Sequence, residues 1–213
     1  MKNCLLILTT MLTLLVVVGC TNNEKISDSK TRQEIDVIDQ KGDLQEVFYP
    51  ISNMVNEETE YYIKNVLIDP NYYKNNLYNR GDIVYFNVPT GFKVTEDTKK
   101  QISRVIALEG EKLTVKKGRI YINDMELDSF YSQLKAEGMT GKEFFEKDLP
   151  SCDEACQKTY RDFFNTSIKE LTVPNGFIFV ISDNSISGYD SLTLGPLSVD
   201  QVIGKVVGYK KEK

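Results

Sequence analysis

The chain has 213 residues, 41% of them hydrophobic and 27% charged, enough for one domain with its own core plus a tail. Its net charge of −5 argues against a nucleic-acid partner, because phosphate contacts need a cationic face. Histidine is absent. That excludes Ser-His-Asp and Cys-His catalysis and removes the commonest metal ligand, so neither a metal nor a cofactor is expected.

In chain order, Lys2 gives a small positive start, and residues 5–18 are apolar except for Thr9, Thr10 and Thr13. This run is too short for a comfortable membrane span and has the size of a signal-peptide core. It ends in Val17-Val18-Gly19-Cys20, and a small residue directly before such a cysteine resembles the bacterial lipobox. The resemblance implies a leader over 1–19 that is removed and a diacylated Cys20, two acyl chains being enough for stable anchoring. Residues 20–45 are polar, with sparse apolar positions at Ile26, Ile35, Val37, Ile38 and Leu44. They read as a lipid-anchored flexible tether with one short helix around 32–39. A tether of about 25 residues would span on the order of 25–30 Å. It would hold the domain at the cell membrane, on the extracytoplasmic side.

Residues 46–213 read as the folded domain. The run 47–51 contains Pro50 and suits an edge strand. Strands follow over 61–68, over 82–86 after Arg80-Gly81, and over 102–108, 112–115 and 119–122. The last three are separated by Glu109-Gly110-Glu111 and Lys116-Lys117-Gly118, as in antiparallel hairpins. Further strands cover 177–181 and 201–209, so the class is mainly β. Residues 129–171 form a helical insertion with capping-box patterns at Thr140/Glu143 and Ser151/Glu154. Cys152 and Cys156, four apart, share a helix face. Export favours a disulfide between them, although a regular helix would have to distort to form it; two free thiols remain the alternative. Lys210, Lys211 and Lys213 read as a solvated basic end.

Three segments together resemble the type I signal peptidases. Asn79-Arg80-Gly81-Asp82-Ile83-Val84 is similar to that family's R-G-D-I-V strand. Arg104-Val105-Ile106-Ala107-Leu108-Glu109-Gly110-Glu111 is similar to K-R-V-I-G-L-P-G-D, and Arg119-Ile120-Tyr121-Ile122-Asn123 to the following L-Y-I-N-G. The stretch from Val173-Pro174-Asn175-Gly176 to Ser182-Asp183-Asn184 is similar to V-P-x-G-x-x-F-V-x-G-D-N, and Asp190-Ser191, Gly195-Pro196 and Ile203-Gly204-Lys205 continue it in order. The resemblance implies a coiled antiparallel β-sheet or partial barrel, with Gly81, Asp82, Gly110, Asp183, Asn184, Asp190, Ser191 and Gly204 as framework positions.

It also implies a serine nucleophile activated by a lysine whose burial keeps the amine neutral. The serine of S-M-x-P-T falls on Asn53 of Asn53-Met54-Val55-Asn56-Glu57, and the lysine before the arginine falls on Ser103. A supporting serine falls on Gly188 and an arginine after D-S on Leu192. The expectation is a pseudoenzyme whose groove, lined by Ile51, Ser52, Asn53, Met54, Ser103 and Arg104, binds exported peptides or preproteins, or assists an active signal peptidase. One alternative is an unusual peptidase using Ser52 with Lys64, Lys99 or Lys100. Another is a purely structural envelope lipoprotein.

Overall fold

Short apolar runs cut by glycine turns curl into two sheets. The computed structural model describes residues 24–33, 36–39, 42–55, 64–147 and 152–210. The strands are β1 (Lys25–Ser27), β2 (Val37–Ile38), β3 (Gln45–Tyr49), β4 (Lys64–Asp69), β5 (Ile83–Asn87), β6 (Lys100–Ala107) and β7 (Lys112–Lys116). They continue with β8 (Arg119–Ile122), β9 (Met125–Asp128), β10 (Ile168–Thr172), β11 (Phe177–Ile181), β12 (Leu197–Ser198) and β13 (Val202–Lys210). The helices are short: α1 (Tyr72–Asn75), α2 (Gly141–Glu146), α3 (Glu154–Phe164) and α4 (Ser191–Leu194). Among the described residues no helix is long and apolar enough to cross a membrane.

One sheet runs β1-β9-β8-β7-β10. Its hairpins turn on Lys117-Gly118 and Asn123-Asp124, all four with positive φ, the backbone that matches strand twist in two-residue loops. The larger sheet runs β12-β11-β6-β5-β13-β4-β3, with β2 added beside the end of β13. β13 shifts register against β5 between Val202 and Gly204, and against β4 between Val206 and Gly208. Such bulges bend a strand, which is how one strand serves three partners on a curled sheet. Ile106, Leu113, Val115, Ile120, Ile122, Phe179 and Ile181 form the core under the first sheet. Tyr49, Met54, Val66, Ile68, Tyr85 and Ile102 form a second core on the larger sheet. Each fully buried large side chain contributes roughly 1.5–3 kcal/mol.

Three expectations need correction. The described part of the expected tether is not loose. β1 pairs in parallel with β9, and β2, lying where a helix was expected, pairs in parallel with β13. The helical insertion ends at α3, since β10 returns to pair with β7. Finally, α3 is capped by Asp153, whose carboxylate accepts from Cys156 N at 2.9 Å, and Ser151 lies outside the described residues. Cys152 therefore precedes the helix, which removes the geometric conflict: it is bonded to Cys156 with the Cα atoms 5.2 Å apart. The leader, Cys20, Asn56, Glu57 and the last two lysines also lie outside the described residues.

Candidate functional site

After β3 the chain leaves the sheet edge at Pro50 and turns, Val55 N bonding Ser52 O at 3.1 Å. The turn drives Asn53 and Met54 under β6, where both are fully buried. Asn53 Nδ2 donates to Ile102 O at 2.8 Å, Ser182 Oγ at 3.0 Å and Gln101 Oε1 at 3.3 Å. Its Oδ1 accepts from the Tyr49 hydroxyl at 2.7 Å, and that hydroxyl in turn accepts from Ile102 N at 2.9 Å.

The position of Ile102 explains these bonds. β6 meets β5 through alternate residues, with Val88 N on Lys99 O and Val105 N on Asp82 O. In an antiparallel ladder that alternation turns the N–H and C=O of Ile102 to the opposite side. There β11 covers only the Arg104-to-Ala107 part of β6. Buried backbone groups must be paired, and Tyr49 and Asn53 supply the partners that a neighbouring strand would otherwise provide.

Ser103 is also fully buried, and its hydroxyl lies 3.0 Å from that of Ser182. Ser182 N donates to Asp190 Oδ2 at 2.8 Å, and Leu192 N to Asp190 Oδ1 at 2.9 Å. Burial pushes the Asp190 carboxyl up to about 6, against the lowering effect of its hydrogen bonds from Ser182 and Leu192. Among the described residues no cation is a hydrogen-bonding partner of Asp190, and leucine, Leu192, stands where the resemblance expects arginine. Gly188, at φ +109°, closes the far side: a Cβ there would lie 2.7 Å from Asn53 Cβ and 3.0 Å from Gln101 Oε1.

Arg104 faces the other way along β6. It is enclosed, with Nε and Nη2 on the Asp183 carboxylate at 2.8 and 2.5 Å and Nη1 on Gly81 O at 2.9 Å. Its guanidinium lies over the rings of Phe130 and Tyr131, 4.8 and 5.3 Å from their centres. Gly81, at φ +88°, has the Thr31 side chain where a Cβ would stand. Asp82 accepts from Lys205 Nζ at 2.6 Å and Tyr73 Oη at 3.1 Å. Asn184 binds the turn that carries Asn53, from its backbone N to Asn53 O at 2.8 Å and from Nδ2 to Ser52 O at 3.0 Å. Ser191 Oγ accepts from Val180 N at 3.0 Å; Gly110 and Gly204 sit at the turn before β7 and within β13. A cleft of about 720 Å³ is lined by the N-terminal segment together with Gly81 and Lys205. Its Arg32, Arg80 and Lys205 are paired with Asp36, Glu111 and Asp82.

The structure thus brings Asn53 and Ser103 to one site, but as a sealed network. The expected open groove is corrected: Asn53, Met54, Ser103 and Arg104 are buried, and only Ile51 and Ser52 are part-exposed. Among the described residues, no lysine amine is a partner of Asn53, Ser103 or Ser182. Lys99 pairs with Glu96, Lys100 lies 5.8 Å from the Tyr85 ring centre, and the Lys64 side chain falls outside the described residues. Sequence reasoning missed Tyr49, Gln101 and Ser182. A signal existed for Ser182, which stands where the family pattern has the glycine of G-D-N.

A curled antiparallel β domain carrying these motifs in order is of the signal peptidase type. The chain belongs to that family: the profile described as "Signal peptidase, peptidase S26" matches residues 44–209. Signal peptidase I V of Bacillus subtilis (strain 168) is 32% identical over 131 residues, 60% of this chain and 63% of that protein. Signal peptidase I of Bacillus caldolyticus is 29% identical over 109 residues, 49% of this chain and 50% of that one. Signal peptidase IB of Staphylococcus aureus (strain N315) is 27% identical over 139 residues, 63% and 61% of the two chains. The chain therefore spans between half and just under two thirds of these relatives. A crystal structure of a signal peptidase I from Enterococcus faecalis V583 aligns with a TM-score of 0.39 at 22% identity, over 62% of this chain and 97% of that one.

Proposed function

We propose that this protein is an exported, lipid-anchored member of the signal peptidase family that cuts no peptide bond and serves protein secretion by binding. Its partners would be extended, signal-like peptides or preproteins, or an active signal peptidase. The observation that carries the loss of catalysis is Asn53. A carboxamide cannot form an acyl-enzyme, and here it is enclosed and committed to Ile102 O, Ser182 and Tyr49. Among the described residues, the neighbouring hydroxyls of Ser103 and Ser182 bond each other, and no lysine amine reaches either. Against the peptidase alternative with Ser52 as nucleophile stand Lys99, paired with Glu96, and Lys100, which lies by the Tyr85 ring.

One observation favours a second reading, a structural envelope lipoprotein. The edge of β6 at Ile102, where an extended peptide could add as a strand, is already hydrogen-bonded by Tyr49 and Asn53. The test is intact-mass analysis of the purified protein with a model preprotein in detergent, alongside Ser52→Ala and Ser103→Ala variants. The expected result is an uncut preprotein retained on the protein. Cleavage abolished by either substitution would overturn the loss of catalysis; neither cleavage nor retention would leave the structural reading.

A further inference from the structure

The N-terminal segment joins the fold much earlier than a flexible tether would allow. Glu24 O already accepts from Glu126 N at 3.1 Å. Lys25, Ile26 and Ser27 then run beside Glu126, Leu127 and Asp128, and Asp28 N closes the ladder on Asp128 O at 3.2 Å. Ile26 packs on the core beneath that sheet. Past the strand, Thr31 Oγ1 donates to Asp28 Oδ2 at 2.5 Å, and the Tyr131 hydroxyl donates to the same carboxylate. Partial burial raises the Asp28 carboxyl, but these bonds outweigh it and hold it below the usual carboxylate range. This is a clamp made of backbone bonds, a core contact and a satisfied carboxylate.

Only Thr21, Asn22 and Asn23 separate Cys20 from Glu24. Four Cα-to-Cα steps of extended chain reach roughly 14 Å at most. We infer that the lipid surface faces one defined end of the β1-β9-β8-β7 sheet, the end at which β1 enters. This rests on the lipid anchoring of Cys20 proposed above. Register identifies that end. Lys25 lies beside Glu126, Glu126 beside Tyr121, and Tyr121 beside Thr114. One step back toward the anchor come Met125, Ile122 and Leu113, and then the Asn123-Asp124 turn with Lys112, whose N–H bonds Asn123 Oδ1 at 2.9 Å. Lys116 and the Lys117-Gly118 turn lie at the opposite end of the same hairpin.

The near end carries Glu24, Lys25, Lys112, Asp124, Glu126 and Glu170, which is not a basic patch. Attraction to anionic headgroups would need clustered lysine or arginine. The short link therefore sets the orientation, which should be insensitive to salt, unlike one set by screened surface charge.

Lys112 and Lys116 are both exposed on β7, about 13 Å apart along the strand. The lipidated full-length protein is reconstituted in phosphatidylethanolamine–phosphatidylglycerol vesicles bearing a headgroup spin label. A fluorophore is placed at Lys112→Cys or Lys116→Cys, with Cys152 and Cys156 kept oxidised. The expected result is several-fold stronger quenching at position 112 than at 116, unchanged in high salt. An insert of about ten Gly and Ser residues between Asn23 and Glu24 should abolish the difference. Equal quenching, or stronger quenching at 116, with Cys20 acylated by mass would overturn the orientation and leave the anchoring intact. A difference that vanishes in high salt would overturn the short link as its cause. Absence of acyl chains on Cys20 would overturn both orientation and anchoring.

Discussion

The Tyr49 hydroxyl lies 2.9 Å from the backbone nitrogen of Ile102, on the side of β6 that β5 does not cover. A side chain from an edge strand thereby completes the hydrogen bonding of a central strand. It does so together with Asn53, four residues further along the same chain. The position that the resemblance assigns to a nucleophile has become part of the fold's hydrogen-bonded interior.

Removing the Tyr49 hydroxyl should therefore affect stability first. Tyr49→Phe leaves Ile102 N–H and Asn53 Oδ1 without their partner, and an unsatisfied buried polar group costs about 1–3 kcal/mol. A loss in that range should appear in denaturant unfolding, with faster amide exchange at Ile102. An unchanged midpoint and unchanged exchange would mean that water replaces the hydroxyl.

Gly188 and Asn53 should be energetically coupled. Gly188→Ser alone brings its Cβ against Asn53 Cβ at 2.7 Å and holds a side chain at φ +109°. Strain of these kinds costs about 1–3 kcal/mol. Asn53→Gly removes that opposing Cβ, so the double variant should recover part of that loss. A coupling energy of roughly 0.5–3 kcal/mol is expected for residues in contact. Additive unfolding energies would argue against the contact.

Asp190 predicts a pH dependence. Its folded pKa, pushed by burial from 3.8 to about 6, means that the native state binds the proton more tightly than the unfolded chain. The favourable contribution of the protonated form is complete below about pH 3.8 and is lost as pH rises through about 6, a change on the order of 3 kcal/mol. Leu192→Arg offers a cation to the carboxylate and should flatten the profile, gaining stability at pH 8 relative to pH 4. Parallel profiles for the variant and the native protein would show that the new arginine does not reach Asp190.

Arg104 tests the opposite face of β6. Arg104→Met leaves the enclosed Asp183 carboxylate without its bidentate partner, and breaking one side of a buried ion pair costs about 3–5 kcal/mol. Arg104→Lys should recover only a part, because an ammonium cannot make the fork to Asp183 and also reach Gly81 O. Full recovery by lysine would show that charge alone matters there.

Most strands could be read from the sequence because their runs are apolar and punctuated: β5, β6, β8 and β11 fall where alternation and glycine turns place them. β9 was missed although Asn123-Asp124 is an apt turn pair, because Met125-Glu126-Leu127-Asp128 carries little β-propensity. β1 and β2 were hidden for a different reason. Their segment is polar, and what holds it is a backbone ladder, one core contact at Ile26 and the Asp28–Thr31–Tyr131 contact, too little to make a hydrophobic period. At the site, motif order located Asn53, Ser103 and Gly188. It gave no hint that Tyr49 would reach Ile102, since that bond joins a side chain to a backbone group distant in sequence and leaves no mark on the local pattern.

The pairing of β2 with the end of β13 also bears on the order of assembly. Val37 lies beside Tyr209, and Ile38 beside Lys210. A strand near the start of the domain can thus find its place only after nearly the whole chain has emerged. Contacts of such long sequence separation form slowly, because the loop must close before the ladder compensates. Early in emergence this segment has no sheet edge to join. β2 would then be the last strand set in place, and, if Cys20 carries the acyl chains proposed above, lipidation before that moment would bring an unfinished domain to the membrane, to complete its folding there.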